Sequence, residues 1–203
     1  MKFAIAGGER IEAKPGLSAS CQCCQSTLIA KCGRMRDWHW SHKGKHSCDP
    51  WHEPETEWHR AWKNRFPVDW QEVVLTAQGG ARHRADVRPA AGQVIEFQHS
   101  RLHPGERASR EAFYGRLIWI VDGRARKRDL ATFLKSLRSP LSHFQLPTFA
   151  VLPDECALLR DWVPGQVPVY FDFGDHDEGQ PPIVWRIHPG THGGLAYITE
   201  VPR

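Results

Sequence analysis

The chain has 203 residues, 40% apolar and 25% charged, which excludes a disordered or fibrous protein and leaves room for one medium domain or a modest domain with a small module attached. No run of 18 apolar residues occurs, and Glu9, Arg10 and Glu12 interrupt the stretch where a signal peptide would be apolar, so a cytoplasmic protein without a membrane span is expected. The net charge of +4 is uneven: residues 1–50 hold eight Lys/Arg and four Asp/Glu, residues 51–140 sixteen and eleven, residues 141–203 three and eight. A basic body with an acidic tail fits a surface for a polyanion, although a solvated mixed-charge surface has the same composition.

In chain order, residues 2–14 suggest a hairpin about Gly7-Gly8. Residues 21–50 are rich in Cys, His, Gly and Ser and lack hydrophobic periodicity, so they need a staple in place of a core. Residues 54–66 predict a helix with Pro54 in its first turn and Trp58, Trp62 and Phe66 at four-residue spacing. Three strands, 71–77, 82–90 and 94–100, follow as an antiparallel meander with turns at Gly79-Gly80 and Ala91-Gly92. A helix over 104–116, a buried strand over 117–123 and a basic helix over 126–137 complete an α/β core, and beyond Pro140 two more strands are suggested by VPVYFDF and PIVWRIH. The composition thus divides the chain at residues 50 and 140.

Five of the six cysteines lie between residues 21 and 48. Cys21 and Cys24 form a C-x2-C knuckle, a spacing that lets two thiolates from one turn reach one tetrahedral ion. His42 and Cys48 are the expected second pair, with His39 and His46 as competing ligands and Cys23 and Cys32 also at hand. A closed structural Zn²⁺ site would supply the folding energy this segment otherwise lacks.

Two carboxylates are placed for chemistry. Asp86 and Glu96 fall on consecutive strands, and alternation puts Gln98 on the same face as Glu96. Such a set can hold Mg²⁺ or Mn²⁺ and leave positions for water and phosphate. On the preceding helix Glu55, His59 and Lys63 recur every four residues, and on the next helix Arg110 and Tyr114 do the same. The remaining histidines, including His176, lie in the acidic tail without metal-like spacing.

This order of signals resembles the competence protein CoiA-like family. The shared pattern is C-x2-C, Trp40-Ser41-His42, Cys48, E-T-x-x-H-x-x-x-K from Glu55 to Lys63, R-A-D-V, I-E-F-Q-x-S, R-x-x-x-Y and an apolar I-W-I-V strand, over roughly residues 20–123. The resemblance implies a restriction-endonuclease-like α/β core of the PD-(D/E)xK superfamily at residues 51–140, a zinc-ribbon-like module at 1–50 and an acidic, β-rich extension at 141–203. It implies Asp86 and Glu96 as ligands of a catalytic Mg²⁺ or Mn²⁺, with Gln98 where the superfamily more often has lysine. Lys63 becomes a candidate for the missing positive charge and Glu55 a helical acid assisting the ion. His59 would contact phosphate or relay a proton, and Arg110 and Tyr114 would look onto the scissile phosphate. The expected activity is phosphodiester hydrolysis, with DNA the first choice of substrate. The alternatives are a nucleic-acid-binding protein that no longer cuts, and a zinc-dependent interaction module whose acidic tail takes a basic protein partner.

Overall fold

The computed structural model describes residues 1–35, 37–44, 48–51, 53–174 and 183–203. The chain folds as two compact units, Met1–Val94 and Ile95–Arg203, so its compact units do not follow the compositional divisions at 50 and 140.

The first unit opens with a five-stranded antiparallel sheet: β1 (Phe3–Ala6), β2 (Glu9–Glu12), β3 (Ser18–Ser20), β4 (Thr27–Lys31) and β5 (His39–His42), in the order β2-β1-β3-β4-β5. Gly7 and Gly8 both take positive φ, +58° and +84°, as a two-residue turn matched to the strand twist requires, so the expected hairpin forms. Residues 21–50 were expected to lack a core. In fact Leu28 and Trp40 are buried with Ala4, Ala13, Ala19, Cys21 and Cys23, and the Trp40 indole donates to the Ile11 carbonyl at 3.1 Å. A few large side chains suffice because both faces of so small a sheet need little apolar area.

Helix α1 (Glu57–Lys63) is shorter than expected. Pro54, expected in the first turn, lies ahead of the helix, and Thr56 caps it: its hydroxyl accepts from the His59 N–H while the His59 ring accepts from the Thr56 N–H. Strands β6 (Gln71–Thr76) and β7 (Arg82–Val87) then pair antiparallel, with Val73 opposite Ala85 and Gly80 at φ +83° in the turn.

In the second unit, β8 (Val94–Gln98) leads through α2 (Pro104–Tyr114) to β9 (Leu117–Asp122), and α3 (Asp129–Ser136) follows. Beyond residue 140 the chain adds β10 (Thr148–Val151), α4 (Ala157–Trp162), β11 (Val169–Asp172), β12 (Ile183–Ile187) and β13 (Ala196–Pro202). The strands form a mixed sheet in the order β10-β13-β12-β11-β9-β8, in which β9 and β11 run parallel and β11, β12, β13 and β10 pair antiparallel in that succession. The residues expected to form a separate extension therefore complete the sheet, and Phe133 meets Phe171, Phe173 and Trp185 in its core at ring separations of 4.8–6.0 Å. Part of the tail's acidity is spent inside the same unit, since Asp161 pairs with Arg126, Glu155 with Arg138 and Asp172 with Arg203. Among the described residues no helix is long and apolar enough to cross a membrane.

Candidate functional site

The knuckle is built by backbone geometry. The Cys21 N–H donates to the Ser26 carbonyl and the Cys21 carbonyl accepts from the Gln25 N–H, both at 2.9 Å, with Gln25 at φ +63° to close the turn. That aims Cys21 and Cys24 at one point, and β5 and the chain after it bring His42 and Cys48 to the same point. The four ligand atoms lie within 4.8 Å of one another. Cys21 Sγ is 3.6 Å from Cys48 Sγ, and Cys24 Sγ is 3.4 Å from His42 Nε2. Tetrahedral zinc with Zn–S near 2.3 Å wants ligand atoms roughly 3.8 Å apart, so the donor set and its spacing fit this ion. Burial opposes ionisation of Cys24, yet hydrogen bonds from Ser26 and His42 bring its thiol down to about 5, while burial and the neighbouring Cys21 sulfur push Cys48 up. Such crowded sulfurs can all ionise only beside a cation. Of the competitors, His39 donates to the Asp37 carbonyl at 2.8 Å, Cys23 contacts the Arg82 carbonyl, and His46 lies outside the described residues, as does His176.

Beside this cluster, Asp49 holds the segment after Cys48. Its carboxylate accepts from the Arg84 and Trp51 N–H groups and meets the His83 ring at 2.9 Å, and Trp51 stacks on that ring at 3.3 Å.

The second feature of the first unit is a buried amine among carboxylates. Lys63, only 3% exposed, lies 3.0 Å from Glu72 and 3.9 Å from Asp86 and forms an ion pair with Glu55. Glu72 and Asp86 lie between the register pairs Gln71–Val87 and Val73–Ala85, and the Lys63 ammonium spans them. Burial alone would lower the Lys63 pKa, but Glu72, Glu55 and Asp86 together raise it above its ordinary value. Despite full burial, Glu72 is held well below the usual carboxylate range by Lys63 and Arg84, and Glu55 is lowered chiefly by Lys63. Asp86 is the most open of the three carboxylates, with 25% of its side chain exposed. Glu55 and Arg84 line a cleft of about 540 Å³ that also reaches His42, Cys48 and Asp49.

Sequence reasoning missed Glu72. It also accepts the N–H groups of Lys2 and Phe3 at 2.8 and 3.1 Å, and its φ of +48° is unusual for a residue with a side chain. Only the polar pair Gln71-Glu72 at the head of an apolar strand signalled it. The helical stripe needs correcting. Glu55 precedes the helix and reaches Lys63 from the extended chain ahead of its cap. His59 is buried, with Nδ1 engaged by Thr56 and Nε2 donating to Glu53 at 3.3 Å, so it shapes the helix start.

The other expected residues belong to the second unit. Glu96 is buried and pairs with Arg110 Nη1 at 3.3 Å, while Arg110 also binds Glu106 one helical turn earlier. Arg110 therefore neutralises Glu96 where a phosphate contact was expected. Gln98 is buried and donates from Nε2 to the Ser100 carbonyl at 3.0 Å. Tyr114 ends α2, half-buried and edge-on to Phe113. Asp86 in the first unit and Glu96 in the second were the two carboxylates assigned to one ion.

Comparisons with protein-family models, with curated proteins and with solved structures give no match for this chain.

Proposed function

We propose that this protein is a Mg²⁺- or Mn²⁺-dependent nuclease acting on DNA, with a PD-(D/E)xK-type core and a zinc-stapled module that grips the substrate. The observation that carries the reading is the convergence of Glu55, Glu72 and Asp86 on the buried Lys63 ammonium, beside a cleft lined by Glu55 and Arg84. The order of motifs shared with the CoiA-like family supports it.

A divalent ion would activate water and neutralise charge developing on phosphorus. Asp86 and Glu96 are the side chains assigned to hold it, and oxygen donors suit so hard a cation. Lys63 is buried among its carboxylates, so its task is to hold Asp86 in place and supply the fixed positive charge that Gln98 cannot. The knuckle sheet, with its surplus of cations, would bind the phosphate backbone through charge.

One observation favours a second reading, binding without cleavage: Glu96 is already neutralised by Arg110, and the Gln98 amide is committed to Ser100. Incubating zinc-loaded protein with plasmid, linear and single-stranded DNA and with RNA, in Mg²⁺, Mn²⁺ or EDTA, separates the two. The nuclease reading expects DNA cleavage that requires the added ion. Binding without cleavage under every condition would establish the alternative, and neither binding nor cleavage would leave the zinc-dependent protein-interaction module.

A further inference from the structure

We infer that the loop joining β4 to β5 is a base-stacking platform for unpaired nucleotides, with Trp38 as its stacking surface. The inference rests on the nucleic-acid reading above and adds the form of the strand recognised.

The described residues 32–35, 37 and 38 lie between two paired strands whose register runs from Lys31–His39 to Leu28–His42. They present two large apolar side chains to water: Met35 is 94% exposed and Trp38 is 48% exposed. An indole left half in water costs hydrophobic free energy that folding alone does not explain. Around it the sequence is strongly basic. Residues 31–46 contain five Lys/Arg (31, 34, 36, 43 and 45) against a single acid, Asp37. Lys31, Arg34 and Lys43 are exposed. Asp37 is held by Arg60 at 3.0 Å and so does little to offset them.

The platform is also tied to the helix beside it. Arg60 of α1 donates to the Trp38 carbonyl at 3.1 Å as well as gripping Asp37, and His39 donates to the Asp37 carbonyl. At the other end of β5, His42 belongs to the metal cluster. Met35, Asp37 and His39 line the same cleft as Glu55 and Arg84. A strand drawn along the basic hairpin would therefore be led toward the Lys63 carboxylates. Aromatic stacking amid cations is the chemistry that recognises unstacked bases: every base has a π-face, whereas paired bases in a duplex keep theirs covered.

The test is fluorescence anisotropy with zinc-loaded protein, a labelled mixed-sequence single strand and the matched duplex, without added Mg²⁺ or Mn²⁺. Trp38→Ala should weaken single-strand binding about tenfold and duplex binding far less, and Trp38→Phe should restore most of the loss. The salt dependence of Trp38→Ala should match the parent, whereas Lys31→Ala should weaken both substrates and reduce the salt slope by about one. Zinc content equal to the parent's confirms that the exposed substitution leaves the hairpin folded. Trp38→Ala binding the single strand as tightly as the parent overturns this inference alone. A parent protein with no affinity for any nucleic acid overturns it together with the reading it rests on. If Asp86→Ala cuts as well as the parent while Trp38→Ala still loses single-strand affinity, the nuclease assignment fails and the platform stands.

Discussion

Replacing Lys63 by methionine probes the centre of the first unit. Methionine keeps the length and apolar stem of lysine but removes the charge facing Glu55, Glu72 and Asp86. Breaking a buried ion pair from one side leaves the partner charge uncompensated and costs roughly 3–5 kcal/mol. At about 2–4 °C per kcal/mol for a chain of this length, the melting transition of the protein should fall by about 6–20 °C at neutral pH. The pH dependence identifies the cause. In the parent, Glu72 and Glu55 have depressed pKa values, so their contribution is fully present above the ordinary carboxylate range and is lost as pH falls through the folded values. Without the ammonium, burial raises these carboxyls, and the variant gains stability as acid protonates them. The gap between parent and variant should thus be widest near pH 7 and narrow toward pH 4.5, followed by tryptophan fluorescence on heating. A variant as stable as the parent, or a gap that holds constant or widens on acidification, would refute the charge argument.

Three further outcomes follow from the same geometry. Protein purified without chelators should carry about one zinc per chain, and Cys24→Ser should lose the metal together with the fold of the β1–β5 sheet, read by elemental analysis and circular dichroism. Gly165→Ala should cost about 1–3 kcal/mol although Gly165 has an ordinary φ, because its new Cβ would lie 1.4 Å from Arg107 Nη2. Arg107 cannot swing aside, being held by Glu111, by the Asp161 and Trp162 carbonyls and over the Trp162 ring, so adding Arg107→Ala should cancel most of the Gly165→Ala penalty in urea unfolding. Gln98→Lys should preserve or raise cleavage if glutamine merely replaces the usual lysine, and a complete loss of cleavage would show that the Gln98 amide itself is required.

What the sequence made legible follows from how local each signal is. The Gly7-Gly8 hairpin, α2 and the apolar β9 are written in neighbouring residues, and the C-x2-C spacing pointed to the ligand set that the structure gathers. Strands β3, β4 and β5 escaped notice because segments of three to five residues carry too little alternation, and Leu28 and Trp40 are their large buried side chains. In the proline-rich last third, β10, α4 and β13 gain their stability from pairing across the sheet, which composition does not report. The spacing of Glu55 and Lys63 correctly signalled proximity through the wrong geometry, since Glu55 lies ahead of the helix. Glu72 was hidden for a different reason: a left-handed φ and bonds to Lys2 and Phe3, some seventy residues away in sequence, leave no local pattern.

The nuclease assignment is tested most directly by cleavage of DNA by Asp86→Ala and Glu96→Ala in Mg²⁺ and in Mn²⁺, with binding measured in parallel. Loss of either carboxylate should abolish cleavage, a loss of several kcal/mol of transition-state charge stabilisation, and largely spare binding, which the basic surface supplies. Cleavage at the parent rate by both variants would contradict the account.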